Sequence, residues 1–191
     1  MKLLSVLNQQ KVKTILIDGS SEDDCLHKRS ETSASVVIIP YPYASHEKYF
    51  KTDLNTFLFD LEYFVFQEEI RTVNPLVLNN EYDVLITFGG SDLYNLTLPV
   101  VELILPLSLK VCVVVNNFFD EVQIKNILNV AAHSEMITVV KNSDNLPKLI
   151  IKSKVTITST GITKYECYAL GRPSLLVSVD NKLRKFHKKL E

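Results

Sequence analysis

The spacing of apolar positions changes near residue 80, and the elements it predicts change with it. Beyond Glu81, short runs of β-branched and aliphatic residues alternate with stretches whose apolar residues recur three and four apart. The runs at 83–88, 110–115, 136–140, 155–158 and 174–177 predict strands. The stretches at 93–105, 120–132 and 145–151, and the segment carrying Tyr165, Ala169 and Leu170, predict helices. Apolar strands separated by helices of this length argue for an α/β domain, its parallel sheet covered on both faces. Its five strands are expected to follow one another in sequence through right-handed crossovers.

Before residue 80 the pattern is looser. Residues 14–17, ending at Asp18-Gly19, and 36–39, closed by Pro40 and Pro42, read as short strands, with a polar, acidic loop at 20–29 between them. The next stretch is aromatic: Tyr43, Tyr49, Phe50, Phe57, Phe59, Tyr63, Phe64 and Phe66. Such a density calls for a surface to bury against, and core contact is the expected role. Residues 72–80, with Pro75 and Asn79-Asn80, read as a connector. The boundaries that follow are 1–72 for a partial α/β domain with its linker helix and 81–191 for the regular domain.

The segment 154–177 is the most informative. Val155-Thr156-Ile157-Thr158 is a strand, Ser159-Thr160-Gly161 a loop of small residues, and a helix follows until Gly171 and Pro173 end it. A small-residue loop lets a ligand approach the backbone, and a following helix turns free N–H groups toward it, which favours an anion. A second loop of this kind, Gly89-Gly90-Ser91-Asp92, follows the strand at 83–88. Both loops stand at carboxyl ends of strands of one expected sheet, the edge where open α/β sheets bind ligands. Gly89 and Gly90 would admit a phosphate and Ser91 would add a hydroxyl donor, while the plainer reading is a strand-to-helix turn with Asp92 as its N-cap. Glu166, in the first turn of its helix, has two readings as well. Its carboxylate can accept hydrogen bonds from a ribose diol, or Thr163-Lys164-Tyr165-Glu166 is a capping box, the reading that spacing alone favours.

Composition narrows the field. The 191 residues are 46% hydrophobic and 23% charged, which suits a globular protein. A net charge of -1 removes the whole-chain electrostatic case for nucleic acid. Lys182, Arg184, Lys185, Lys188 and Lys189 read as the solvated face of a last helix. Cys25, Cys112 and Cys167 lack metal-ligand spacing, as do His27, His46, His133 and His187, so neither a metal site nor a cofactor is expected. The run at 98–115 is interrupted by Glu102, Pro106 and Lys110 and divides into a helix and a strand, with no membrane span. Leu3-Leu4-Ser5-Val6-Leu7 is too short for a secretory segment, and a cytoplasmic location is expected.

The run from Leu85 to Thr97, LITFGGSDLYNLT, closely resembles the ITFGGSDPxNLT signature of the UDP-sugar hydrolases of pseudaminic-acid biosynthesis and their spore-coat polysaccharide relatives. Residues 154–174 resemble the same family's segment, in which a glycine-Ser-Thr-Thr loop leads to a Glu and then to Ala-Leu-Gly-x-Pro-Ser. Phe57-Leu58-Phe59-Asp60-Leu61-Glu62-Tyr63 is similar to its leucine-glycine-x-x-Tyr run. The resemblance implies a GT-B architecture, with 81–191 as its C-terminal, Rossmann-like UDP-binding domain and 1–72 as part of the N-terminal one. It implies that Gly89, Gly90 and Ser91, with Asp92 beside them, flank a diphosphate. Ser159, Thr160, Gly161, Ile162 and Thr163 then complete the cradle, Glu166 holds the ribose, and uracil lies near Asn117 and residues 142–146.

Three departures shape the expectation. No Gly-x-Gly-His loop, which carries the family's water-activating His, occurs in the chain. Ile162 and Lys164 stand where the family has hydroxyl residues, and Lys164 can meet phosphate as a point charge. The match begins about halfway through the family's N-terminal domain and stops short of its last helices. The expected protein therefore binds UDP or a UDP-sugar with no catalytic residue of its own, a partner chain supplying the missing half if hydrolysis occurs. The alternative is a non-enzymatic, protein-binding subunit of a split hydrolase that exposes the 43–66 aromatics and the Phe118-Phe119 pair.

Overall fold

The computed structural model describes residues 2–17, 34–41, 56–73 and 80–178. The chain forms two compact units, 1–65 and 66–191. The acidic loop at 20–29, Cys25, His27, His46, Pro42, Tyr43, Tyr49, Phe50, most of the 72–80 connector, and the basic segment with His187 lie outside the described residues.

In the first unit, α1 (Lys2–Gln9) precedes β1 (Ile15–Ile17), β2 (Val36–Ile39) and β3 (Thr56–Phe59). The three strands are parallel and lie in the order β1-β2-β3, with Ile15 opposite Val36 and Val36 opposite Thr56. β3 arises inside the aromatic stretch, where sequence reading expected only core contacts. Phe57 and Phe59 lie two residues apart on one strand face and stack at 6.0 Å. Asp60, at φ 89, ends the strand and caps a following turn by accepting from the Leu61 N–H at 2.6 Å.

The second unit opens with α2 (Glu68–Thr72), which buries Ile70. Then follow β4 (Tyr82–Thr87), α3 (Thr97–Ile104), β5 (Val111–Val115), α4 (Glu121–Ala131), β6 (Ile137–Lys141), α5 (Leu146–Ile151), β7 (Ser153–Ser159), α6 (Thr163–Ala169) and β8 (Ser174–Val177). All five strands are parallel, and helices cover both faces, as a Rossmann-like fold requires. They do not lie in chain order, however: the sheet runs β6-β5-β4-β7-β8, with β4 at its centre. Five positions in β5 are buried, which makes Val-Cys-Val-Val-Val an interior strand with no solvent face.

Strand alternation divides the core. Val84 and Ile86 of β4, Phe88 just beyond it, and Val111, Val113 and Val115 of β5 pack with Val101 and Ile104 of α3 and Ile127 of α4. On the other face Leu85, Cys112 and Val114 pack with Ile70 of α2, Ile150 and Ile151 of α5, Cys167 of α6 and Leu170 at its C-cap. The helix expected from residue 93 starts only at Thr97. Asp92 at φ 39 and Asn95 at φ 53 put left-handed backbone in its first turn, and the segment is a loop instead.

At the amino edge of the sheet, Lys154 pairs with Asp83 at 2.6 Å and Lys152 with Glu81 at 3.0 Å. Lys154 and the Lys110 N–H hold the Asp83 carboxyl below its ordinary range. Buried Arg172 donates to the Ile151 carbonyl and, at 3.2 Å, to Asn80 Oδ1. These contacts tie down the edge opposite the two small-residue loops. Among the described residues no helix is long and apolar enough to cross a membrane.

Candidate functional site

Chain order reverses at β4. β5 and β6 lie to one side of it, and β7 and β8 to the other. β4 and β7 are neighbours in parallel register, with Thr87 opposite Thr158, so the two expected loops leave the sheet side by side. At Thr87 and Thr158, the last register pair before the loops, the strands are roughly one strand spacing apart, about 4.8 Å. This is a topological switch point, the kind of place at the carboxyl edge where open α/β sheets bind their ligands.

On the β4 side, Gly89 has φ +81, a conformation in which a side chain is strained. Asn116, just beyond β5, donates from Nδ2 to the Gly89 carbonyl at 2.9 Å and joins the tips of β4 and β5. Gly90 leaves its backbone open, since a Cβ there would meet only the Phe118 ring at 3.8 Å. Ser91 is half-buried beside it. Asp92 behaves differently from its neighbours. It is 3% exposed, and its carboxylate accepts from the N–H groups of Leu96 at 2.9 Å and Thr97 at 2.8 Å and from Gln123 Nε2 at 2.9 Å. Asp92 therefore caps α3 from four and five residues upstream and binds that helix to α4.

On the β7 side, Ser159 and Thr160 are half-buried and Gly161 and Ile162 exposed. Helix α6 has seven residues and begins at Thr163, after Ile162, whose side chain makes no capping bond. Thr163 is thus the first helical residue, and the capping box expected at Thr163–Glu166 does not form. The backbone enters the helix one residue earlier, and the Thr163 hydroxyl lies in the same first turn as the Glu166 carboxylate. Burial pushes the Glu166 carboxyl above its ordinary range, and that hydroxyl partly offsets the shift.

Lys164 is buried as well. Its ammonium donates to the Thr160 carbonyl at 2.9 Å and lies 4.7 Å from the centre of the Tyr165 ring. Burial lowers its pKa to about 8. The site thus combines an open glycine backbone, a loop of small residues, a buried ammonium and a buried carboxylate. The hydroxyls of Thr87 and Thr158, register partners 1% and 0% exposed, have no hydrogen-bond partner among the described residues. A buried cation with no carboxylate partner among the described residues, beside open backbone, is suited to holding an anion, and a carboxylate with spare lone pairs to holding a diol.

The structure brings Gly89, Gly90 and Ser91 to the same edge as Ser159 to Thr163, Lys164 and Glu166. It turns Asp92 into the protein. Residues 142–146 follow β6 at that edge, where the Asn142 N–H bonds the Val115 carbonyl at 2.8 Å. Sequence reading passed over Asn116, whose signal was its place just beyond a fully apolar strand. The Phe118-Phe119 pair is divided: Phe118 is 80% exposed beside Gly90, and Phe119 is buried in the core. His133 lies past α4, its Nδ1 2.7 Å from the Asn129 carbonyl. Cys112 and Cys167 are fully buried, which pushes both thiols up to about 11.

Fold and edge together define an α/β protein of Rossmann-like type whose two small-residue loops leave the sheet at its switch point. No protein-family model matches the chain. A protein of Methanocaldococcus jannaschii, itself uncharacterized, is 31% identical to it over 149 residues, an alignment covering 73% of this chain. The chain spans 31% of that relative's length.

Proposed function

We propose that the second unit is a cytoplasmic nucleotide-sugar-binding domain that takes UDP or a UDP-sugar. On this reading it is related to the UDP-sugar hydrolases and glycosyltransferases of pseudaminic-acid or surface polysaccharide biosynthesis. The observation that carries the reading is the adjacency of the β4 and β7 tips where chain order reverses. The diphosphate lies across Gly89, Gly90 and Ser91 on one side and Ser159 to Thr163 on the other. Lys164 supplies positive charge, and Glu166 takes the ribose diol with the lone pairs Thr163 leaves. Asp92 holds the first loop in shape from behind and does not meet the ligand.

Hydrolysis of a sugar–diphosphate bond needs a base for water as well as a held leaving group. No residue of the site is assigned that base, so in this reading a partner chain provides it. Titration calorimetry with UDP tests the binding step. Wild type should bind, and Glu166→Gln should bind about tenfold more weakly, the scale of a lost charged hydrogen bond. Absence of binding to millimolar UDP would dismiss the nucleotide reading. Equal affinities would dismiss the role of Glu166 alone. The alternative, a protein-binding subunit, draws on Leu93, Tyr94 and Phe118, which are 82%, 64% and 80% exposed near the glycine loop. A monomer at high concentration by sedimentation would count against self-association through that rim.

A further inference from the structure

Lys164 is unusual for a lysine. Its residue is 7% exposed and its ammonium makes one hydrogen bond, to the Thr160 carbonyl of the loop after β7. A lysine ammonium has three donors, so two remain for a ligand. Burying an ammonium without a carboxylate is costly, and the usual outcome is a group that loses its proton readily and regains it when an anion arrives.

Among the described residues, the charged groups on its own helix and on the elements packed against it supply no compensation. On its own helix Glu166 makes no ion pair with it. On β7, Lys154 lies at the opposite end of the strand and pairs with Asp83 at 2.6 Å. On α5 the charged residue is Lys148, a second cation, and β8 carries none. Arg172, in the turn before β8, bonds the Ile151 carbonyl. Burial is accordingly the cause of the fall in the Lys164 pKa to about 8.

Resting on the nucleotide reading above, we propose that Lys164 is the cation that grips the ligand's phosphate and that it takes up a proton from water as the anion enters. The site then binds phosphate in a proton-linked manner. With the free amine near pKa 8 and the bound one returned toward its ordinary range, affinity falls about tenfold from pH 7 to pH 9. Over that range proton uptake per ligand rises toward one.

The test is calorimetry with UDP from pH 7 to pH 9, in buffers of different ionisation enthalpy, on wild type, Lys164→Arg and Lys164→Met. The arginine variant keeps its charge throughout, so the ratio of wild-type to arginine affinity cancels ionisation of UDP itself. That ratio should fall about tenfold across the range, and Lys164→Met should bind weakly with no excess proton uptake. Titration of the ε-13C-lysine resonances of the wild type without UDP supplies a readout that needs no variant, with one amine expected near pH 8.

UDP binding with a constant wild-type to arginine ratio would overturn the proton linkage and leave the nucleotide site standing. A wild type in which every lysine titrates near the ordinary 10.5 would overturn the linkage in the same way. No binding of UDP by wild type at any pH would overturn both.

Discussion

Replacing Asp92 with alanine separates a ligand contact from a structural brace. The carboxylate is 3% exposed and receives two backbone N–H groups and one side-chain amide, at 2.8 to 2.9 Å. Truncation strands the Leu96 and Thr97 donors at the start of α3 and frees Gln123, which is 8% exposed. A buried donor left without its partner costs about 1–3 kcal/mol, and Gln123 recovers part of its loss by turning. The net cost is therefore about 2–5 kcal/mol, a large share of the stability of a domain this size. It should lower the melting temperature by roughly 8–15 °C. Asp92→Asn should fall between wild type and alanine, because an amide retains one acceptor and presents a donor to the others. Differential scanning calorimetry measures the loss. UDP affinity, measured well below the melting transition, should change less than threefold. An alanine variant that melts like wild type but binds UDP tenfold more weakly would refute the brace and place Asp92 in the ligand site.

Other outcomes follow from single features of the second unit. Ile127→Ala, at a fully buried position between α4 and the sheet, should cost about 2–5 kcal/mol in denaturant unfolding. Gly171→Ala should cost about 1 kcal/mol, because the residue sits at φ +62 after α6 and an added Cβ would meet nothing within 4 Å. Cys112 and Cys167 should resist alkylation at pH 8 until the protein unfolds, as read by mass spectrometry of their peptides. Lys164 predicts a stability trend with pH. Its folded pKa of about 8 lies below the ordinary 10.5, so between these values the unfolded chain binds more protons and stability rises with pH. Lys164→Met should abolish that rise in urea titrations.

The strands of the second unit were legible in the sequence because each is a run of β-branched or aliphatic residues bounded by turn residues. β5 is read correctly from Val-Cys-Val-Val-Val alone, since only an interior strand is apolar at every position. The position of each strand in the sheet was not legible. Nothing in residues 153–159 says that β7 pairs with β4 instead of with β6, because pairing is decided by which crossover buries α5 and α6 against the sheet. Helix starts were read only where a side chain caps locally. Asp120 accepts from the Val122 N–H at 2.8 Å and Asn145 from the Lys148 N–H at 3.0 Å, and both helices begin where expected. Asp92 caps at a distance through left-handed backbone, and α3 therefore starts late. β3 was hidden because stacked Phe57 and Phe59 alternate with Leu58 in a run whose apolar character had no period. At the site, the residue types were legible and their accessibility was not. Lys164 reads as a point charge for phosphate and Glu166 as a ribose contact or capping residue, but nothing in their spacing says that both are buried, which the packing of α6 on β7 and β8 decides.

The most direct measurement is a UDP titration followed by the backbone amide resonances of 15N-labelled protein. Saturable shifts should concentrate at Gly89, Gly90 and Ser91 and at Ser159 to Lys164, two stretches about 70 residues apart in sequence that meet only through the β4–β7 pairing. Shifts confined to one of these loops, located elsewhere, or absent at millimolar UDP would contradict a nucleotide site at the switch point.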